Sequence, residues 1–364
     1  LLWRARRSSR FVAITGTNGK STTTALVAHV LAAAGFEVAA GGNIGTPALD
    51  LPALGARGVY VLEMSSYQLE ITPTAAYDVA VLLNISPDHL DRHGGMDGYV
   101  AAKRLIFRGQ GEGDVAVVGV DDGPCRRIRA DLAARGAQRV VAISAYDGAA
   151  GGVFAGGHWL VDDLDRLSRP VADLSRARAL PGAHNGQNAA AAYAVARALG
   201  VPGETAAKAL LDFPGLAHRQ ELVGAAEGVR FVNDSKATNA DAAARALESY
   251  DNIFWIAGGI AKEGGIAPLA PLFPRIARAF LIGQAAPDFA RTLEGRVPYA
   301  LCGTLEAALD AAHRAARVAA RKPAVVLLSP ACASFDQFKN FEARGDAFRA
   351  LVRARLGAGA EARP

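Results

Sequence analysis

Residues Phe11 to Thr24 read FVAITGTNGKSTTT, and the order of residue types along this stretch decides the fold. The four apolar residues Phe11 to Ile14 form a run with the length and character of a buried strand. They lead into Thr15-Gly16-Thr17-Asn18-Gly19-Lys20-Ser21 and then into an apolar-periodic run from Thr22 to Ala34. Strand, glycine-rich turn and helix is the layout of a phosphate-binding loop. Gly16 and Gly19 let the backbone approach phosphate oxygens, and amides at the helix start face the anion. Lys20 then reaches the β- and γ-phosphates, and the Ser21 hydroxyl ligates Mg²⁺. The general pattern G-x-x-x-x-G-K-[ST] asks for glycine at position 14, where this chain has Ile14, so only its G-K-S end matches.

Outward from that loop, other predicted strands also end in polar clusters. A short strand over Glu37–Ala40 precedes the permissive loop Gly41 to Pro47, which holds Asn43. Val59–Met64 runs into Glu63-Met64-Ser65-Ser66-Tyr67-Gln68-Leu69-Glu70, and Asp78–Leu83 into Asn84-Ile85-Ser86-Pro87-Asp88-His89-Leu90-Asp91-Arg92-His93. The C-terminal ends of strands are where open α/β sheets bind ligands. Glu63, His89 and Ser21 are therefore candidates for one metal site beside the phosphates. Tyr99–Phe107 predicts a helix, on which Lys103 by residue type alone is an ordinary solvated lysine. Further on, the patterning predicts strands at Val115–Val118 and Val140–Ile143 around a helix at Pro124–Ala134. A hairpin follows at Gly151–Val161 with Gly156-Gly157 at its tip. Pro181-Gly182-Ala183-His184-Asn185-Gly186-Gln187-Asn188 opens an alanine-rich helix to Gly200, and its polar start can present amides to a base or a phosphate. A further helix spans Thr205–Phe213.

Pro214-Gly215 marks a domain boundary, beyond which a new β/α series begins. Strands are predicted at His218–Val223, Val229–Asn233, Ile253–Ala257, Ala279–Ile282 and Ala324–Leu328, with helices at Ala240–Ser249 and Arg344–Leu356 and two more bracketing Val297–Cys302. The tail from Gly357 is expected to fray. Alternating β and α units of this kind predict parallel sheets with helices on both faces.

Composition sets the broad class. Of 364 residues, 51% are hydrophobic and 21% charged, which is ordinary for a globular chain with two sizeable cores. No apolar run approaches the roughly 18 residues of a membrane span, so no membrane and a cytoplasmic location are expected. The three cysteines, Cys125, Cys302 and Cys332, are scattered and give neither a disulfide framework nor a zinc spacing. The net charge of +5 is spread among alanines with no dense basic run, which argues against nucleic acid and suits an acidic, phosphorylated substrate.

With these loops side by side, the chain resembles the Mur ligase family from Phe11 to about Arg349. TGTNGKST at Thr15–Thr22 is common to that family and to folylpolyglutamate synthases. EMSSYQLE at Glu63–Glu70 and NISPDHLDR at Asn84–Arg92 narrow the resemblance. NDSKATN at Asn233–Asn239 and LSPACASFDQFKNF at Leu328–Phe341 resemble the branch that adds D-glutamate.

The resemblance implies a P-loop-type central ATPase domain at 11–215 with a mainly parallel sheet. A Rossmann-like α/β domain at 216–364 takes the amino acid. Residues 1–10 look like the end of a connector to an N-terminal domain that grips uridine diphosphate, which this sequence lacks. The implied activity is ATP-dependent addition of D-glutamate to UDP-N-acetylmuramoyl-L-alanine through an acyl phosphate, in cytoplasmic peptidoglycan precursor synthesis, by a monomer. Gly16, Thr17, Asn18, Gly19, Lys20, Ser21 and Thr22 are implied to hold ATP phosphates. Ser21, Glu63, His89 and a carbamylated Lys103 are implied to hold two Mg²⁺ ions. Asn185, Asn188, His218, Arg219 and Asp234 match positions for adenine and ribose. Lys236, Thr238, Lys262, Ser334 and Phe341 match those around D-glutamate, and Asn43, Ser65 and Gln68 those near the muramoyl end. Lys20, Lys103, His89 and Lys262 are the implied catalytic residues. Two alternatives stay open: a Mur-type or folylpolyglutamate-type ligase for another amino acid, and a nucleotide-binding module without ligase activity.

Overall fold

The computed structural model describes residues 8–146, 148–177 and 179–356. The first seven residues of the expected connector and the expected frayed tail lie outside them. The chain divides into two compact units between Pro214 and Gly215.

The first unit is built on a nine-stranded sheet. Its strands are β1 (Arg10–Thr15), β2 (Glu37–Gly42), β3 (Gly58–Glu63), β4 (Val79–Leu82), β5 (Val115–Gly119), β6 (Arg139–Ser144), β7 (Val153–Gly156), β8 (Trp159–Asp162) and β9 (Arg169–Asp173). They lie in the order β2-β3-β1-β4-β5-β6-β7-β8-β9. All pairings from β2 to β7 are parallel, and β7-β8-β9 form an antiparallel meander. The helices are α1 (Lys20–Ala33), α2 (Ser66–Glu70), α3 (Leu90–His93), α4 (Met96–Arg104), α5 (Gly123–Arg135), α6 (His184–Ala198) and α7 (Gly203–Leu211). The inner strands are apolar at every position because both faces are covered. Val12 and Ile14 pack with α1, α6 and α7, whereas Phe11 and Ala13 pack with Tyr60, Tyr99 and Ile106. The hairpin turns one residue later than predicted, at Gly157-His158, where Gly157 has a φ of 62°. The sequence reading missed β9, a short strand with a proline at Pro170 in which only Ala172 is buried. Lys103 is not a solvated helical lysine: it is 1% exposed beneath the sheet's C-terminal edge.

The second unit holds β10 (Glu221–Ala226), β11 (Val229–Asn233), β12 (Ile253–Gly258), β13 (Ile260–Ala261), β14 (Ile276–Ile282), β15 (Tyr299–Gly303), β16 (Ala324–Leu328) and β17 (Cys332–Ala333). Its helices are α8 (Ala240–Ser249), α9 (Ala286–Leu293), α10 (Leu305–Arg317) and α11 (Phe341–Leu356). Six strands form one sheet in the order β10-β11-β16-β12-β14-β15, parallel except for the β10–β11 hairpin. Apolar clusters fill both of its faces. The strand predicted from His218 starts only at Glu221, because His218 and Gln220 adopt left-handed φ values of 63° and 45° that no strand accommodates. The last helix starts at Phe341 rather than Arg344. Central strands β11, β12 and β16 end in the loops at Asp234, Gly259 and Ser329, so the polar motifs share one edge of the sheet. No helix among the described residues is long and apolar enough to cross a membrane.

Candidate active site

The loop between β1 and α1 is held open by glycine and pinned from below by asparagine. Gly19 is the residue before α1, with a φ of 84°, and no side chain caps the helix. A helix start without a side-chain cap suits an anion, and no acidic residue in the first turn of α1 repels one. A Cβ on Gly19 would collide with Oδ1 of Asn188. Asn84, at the end of β4, accepts from the Asn18 amide at 2.9 Å through Oδ1 and from the Thr17 amide at 2.8 Å through its carbonyl. Its Nδ2 donates to Gln187 at 2.9 Å, and Gln187 in turn donates to Asp121 at 2.7 Å. The loop shape is thus fixed by side chains far away in sequence.

Two lysines converge on this loop. Lys20 donates to the carbonyls of Gly16 at 3.0 Å and Thr17 at 2.8 Å. Lys103, reaching in from α4, donates to the same Gly16 carbonyl at 2.8 Å and to Thr15 Oγ1 at 3.4 Å. Burial, reinforced by the Lys20 charge, pulls the Lys103 amine down to about 7. Its Nζ lies 4.8 Å from the centre of the Tyr99 ring, whose hydroxyl shares a 3.2 Å hydrogen bond with Thr17 Oγ1.

Glu63 ends β3, in register with Ile14 of β1, and is 2% exposed. Asn43 donates to its Oε1 at 3.0 Å, while Oε2 is buried with no hydrogen-bond partner. An orphaned carboxylate oxygen beside a phosphate loop fits a hard cation. His89, at a left-handed φ of 52°, has a half-exposed side chain that meets Asp88 at 3.5 Å and the Tyr67 ring at 5.3 Å. Among the described residues, no group of three His, Cys, Asp or Glu side chains gathers to hold a metal. Ser65 and Gln68 close a reciprocal cap on α2, with Gln68 N donating to Ser65 Oγ at 3.2 Å and Ser65 N to Gln68 Oε1 at 2.9 Å. Asn188 accepts from Thr23 of α1 at 3.0 Å and donates to Asn185 at 2.8 Å, which ties α6 to the loop helix.

In the second unit, Asp234 is buried at the end of β11 and accepts from Ser329 Oγ at 2.7 Å. Burial raises its carboxyl to about 7. His218 lies against α11, its Nδ1 bonded to Asn233 Nδ2 at 3.0 Å, and burial holds it below the usual histidine range. Lys236 extends over the Phe341 ring at 5.5 Å. The Thr238 amide donates to the Lys236 carbonyl at 3.0 Å, closing a tight turn. Ser334 is buried after β17, whereas Lys262 is exposed on the rim of a cavity of about 420 Å³ shared with Phe289 and Arg291.

Sequence reading gave no role to Arg344. It is 1% exposed and binds the Ser235 carbonyl at 2.8 Å and the Cys332 carbonyl at 3.1 Å, so it ties the loops after β11 and β16 together. Tyr99, Asn84 and Gln187 were missed as well, although Asn84 and Gln187 lie inside quoted motifs.

Residues 14–196 match the Mur ligase middle domain, and residues 218–332 match the Mur ligase glutamate ligase domain. The chain belongs to the Mur ligase family. Among members of that family, it is 58% identical to the UDP-N-acetylmuramoylalanine–D-glutamate ligase of Rhodospirillum rubrum, covering 97% of this chain and 74% of the relative. It is 55% identical to the ligase of the same name from Caulobacter vibrioides, over 98% of this chain and 76% of that one. Solved Mur ligases share the fold. MurF from Acinetobacter baumannii superposes with a TM-score of 0.69 at 21% identity, over 96% of this chain and 78% of that one. MurF from Thermotoga maritima in complex with ADP gives 0.67 at 20%, over 97% and 84%.

Proposed function

We propose that this Mur ligase adds D-glutamate to UDP-N-acetylmuramoyl-L-alanine at the expense of ATP, in peptidoglycan precursor synthesis in the cytoplasm. The observation that carries this reading is the pair of lysines on the Gly16 carbonyl beside the orphaned Glu63 oxygen. It is supported by the identity with D-glutamate ligases along nearly the whole chain.

The alanine carboxylate forms a bond to the γ-phosphorus of ATP as the bond to ADP breaks. The D-glutamate amine then bonds to the acyl carbon, phosphate leaves, and the amine gives up a proton. Lys20 exchanges its loop carbonyls for phosphate oxygens and offsets the charge that spreads over the transferring group. The uncapped start of α1 supplies amides to the same oxygens. Ser21, Glu63, His89 and a carbamylated Lys103 would hold magnesium, which when bound neutralises charge on the phosphates. Carbamylation needs the neutral amine, which adds to CO₂ and releases a proton. An amine pulled down to about 7 presents that form at neutral pH, which a solvated lysine does not. Asn185, Asn188, His218, Arg219 and Asp234 are assigned to the nucleoside, and Asn43, Ser65 and Gln68 to the muramoyl end. Lys236, Thr238, Lys262, Ser334 and Phe341 are assigned to D-glutamate, whose side-chain carboxylate needs cationic and hydroxyl partners. The domain ranges 11–215 and 216–364 and the monomeric state belong to the same proposal.

The test is ATP-dependent amide formation by the full-length protein with D-glutamate, L-alanine and meso-diaminopimelate compared, with and without Ser334→Ala. The expected result is a preference for D-glutamate of at least about a hundredfold, reduced in the variant. A preference for either other amino acid refutes the assignment.

A further inference from the structure

The motif after β4 ends in His93, a residue to which the reading above gives no task. Its side chain is 1% exposed although it sits on a loop-borne turn of helix. Both ring nitrogens are engaged, and two aromatic rings lie against the imidazole. Nε2 meets Ser66 Oγ at 3.0 Å, and Nδ1 meets Glu70 Oε1 at 3.4 Å. The Tyr67 ring stacks on it with centroids 5.5 Å apart and planes within 15°, and the Tyr99 ring lies 5.4 Å away.

A serine, a histidine and a carboxylate in this order match the donor–acceptor order of a hydrolase triad. Ser66, however, is 3% exposed, so no substrate carbonyl can reach its hydroxyl. The arrangement fastens the imidazole rather than activating the serine. What the fastened ring touches is Tyr99, and Tyr99 touches the chemistry: its hydroxyl bonds Thr17 of the phosphate loop and its ring lies beneath Lys103 Nζ. The backbone is adapted to this contact as well. Gly98 lies inside α4, where glycine costs about 1 kcal/mol relative to alanine, yet a Cβ there would collide with the His93 carbonyl. The glycine lets α4 dock directly on His93.

We infer that His93 is a positioning residue for phosphoryl transfer: its ring plane, fastened to α2, sets Tyr99 and thereby Thr17 and the Lys103 amine. This rests on the function proposed above.

The test uses the full-length protein with His93→Met, which removes the ring plane, and His93→Phe, which keeps it beside the two tyrosines. Gly98→Ala, which pushes α4 off His93, serves as an independent second disruption. Two quantities are read after thermal melts confirm folding. One is kcat for amide formation against KM for D-glutamate. The other is the ¹³C carbamate resonance of Lys103 in protein equilibrated with ¹³C-bicarbonate. In His93→Met and Gly98→Ala, kcat is expected to fall by at least about tenfold with KM within about twofold, and the carbamate signal by more than half. His93→Phe is expected to keep most of both. Folded His93→Met with wild-type kcat and carbamate signal overturns the inference, as does His93→Phe impaired to the same degree as His93→Met. Should the wild type form no amide, the functional reading fails and the resonance alone decides on His93. Should it form amide without a carbamate resonance, kcat decides.

Discussion

The chemistry of single side chains here is set mainly by burial. Asp234 is the clearest case, because its carboxyl is desolvated at the end of β11 and raised from 3.8 to about 7. Below the ordinary carboxylate value, both folded and unfolded chains carry the proton. As pH rises towards 7, the unfolded chain releases it and the folded one retains it, so stability falls across that window by at most about 1.4 kcal/mol per pH unit. Asp234→Asn, compared with wild type by thermal melts between about pH 4 and pH 7, is expected to remove that decline; parallel pH profiles for the two proteins would contradict it. How legible such residues are depends on where their partners lie. Lys20 and Ser21 could be read because the strand, turn and helix that define them are contiguous. Arg344 could not, since its partners Ser235 and Cys332 belong to other segments and an arginine in a helical pattern carries no sign that it is buried. Lys103 read as solvated for the same reason, and only the resemblance to the family gave it a role.

At the scale of elements, periodicity worked where both faces of a strand are covered and failed where local backbone chemistry intervened. Continuous apolar runs such as Val59–Leu62 and Ala324–Leu328 were placed within a residue. The segment from His218 was not, because left-handed residues at His218 and Gln220 delay the strand. The antiparallel strand β9 went unseen since it is short, carries Pro170 and buries only Ala172. The turn before α1 is the element on which the site most depends. Gly19→Ala would place a Cβ at a φ of 84° and against Asn188, which also braces Thr23. A left-handed conformation alone costs alanine roughly 1–2 kcal/mol. Denaturant unfolding is therefore expected to show a loss of at least about 1 kcal/mol, together with weakened ATP binding by calorimetry. An alanine variant with unchanged stability and affinity would mean that the loop does not need glycine there.

For the molecule as a whole, the alternation of β and α units made two α/β units legible, and the proline-glycine pair at Pro214-Gly215 lies where they divide. The sequence patterning also brought the polar motifs to strand ends, where the structure has them at β1, β3 and β4 in one unit and at β11, β12 and β16 in the other. What patterning did not carry is the network beneath them, from Asp121 through Gln187 and Asn84 to the loop, whose bonded partners are up to 103 residues apart. The central claim is that a carboxylate is activated by phosphoryl transfer from ATP held on this loop before an amine displaces the phosphate. It is tested most directly by supplying UDP-N-acetylmuramoyl-L-alanine labelled with ¹⁸O in its alanine carboxylate, together with ATP and D-glutamate, to the full-length protein. The released phosphate is then analysed by mass spectrometry. One ¹⁸O atom in phosphate for every amide formed is the result this account expects; amide formation with unlabelled phosphate would contradict it.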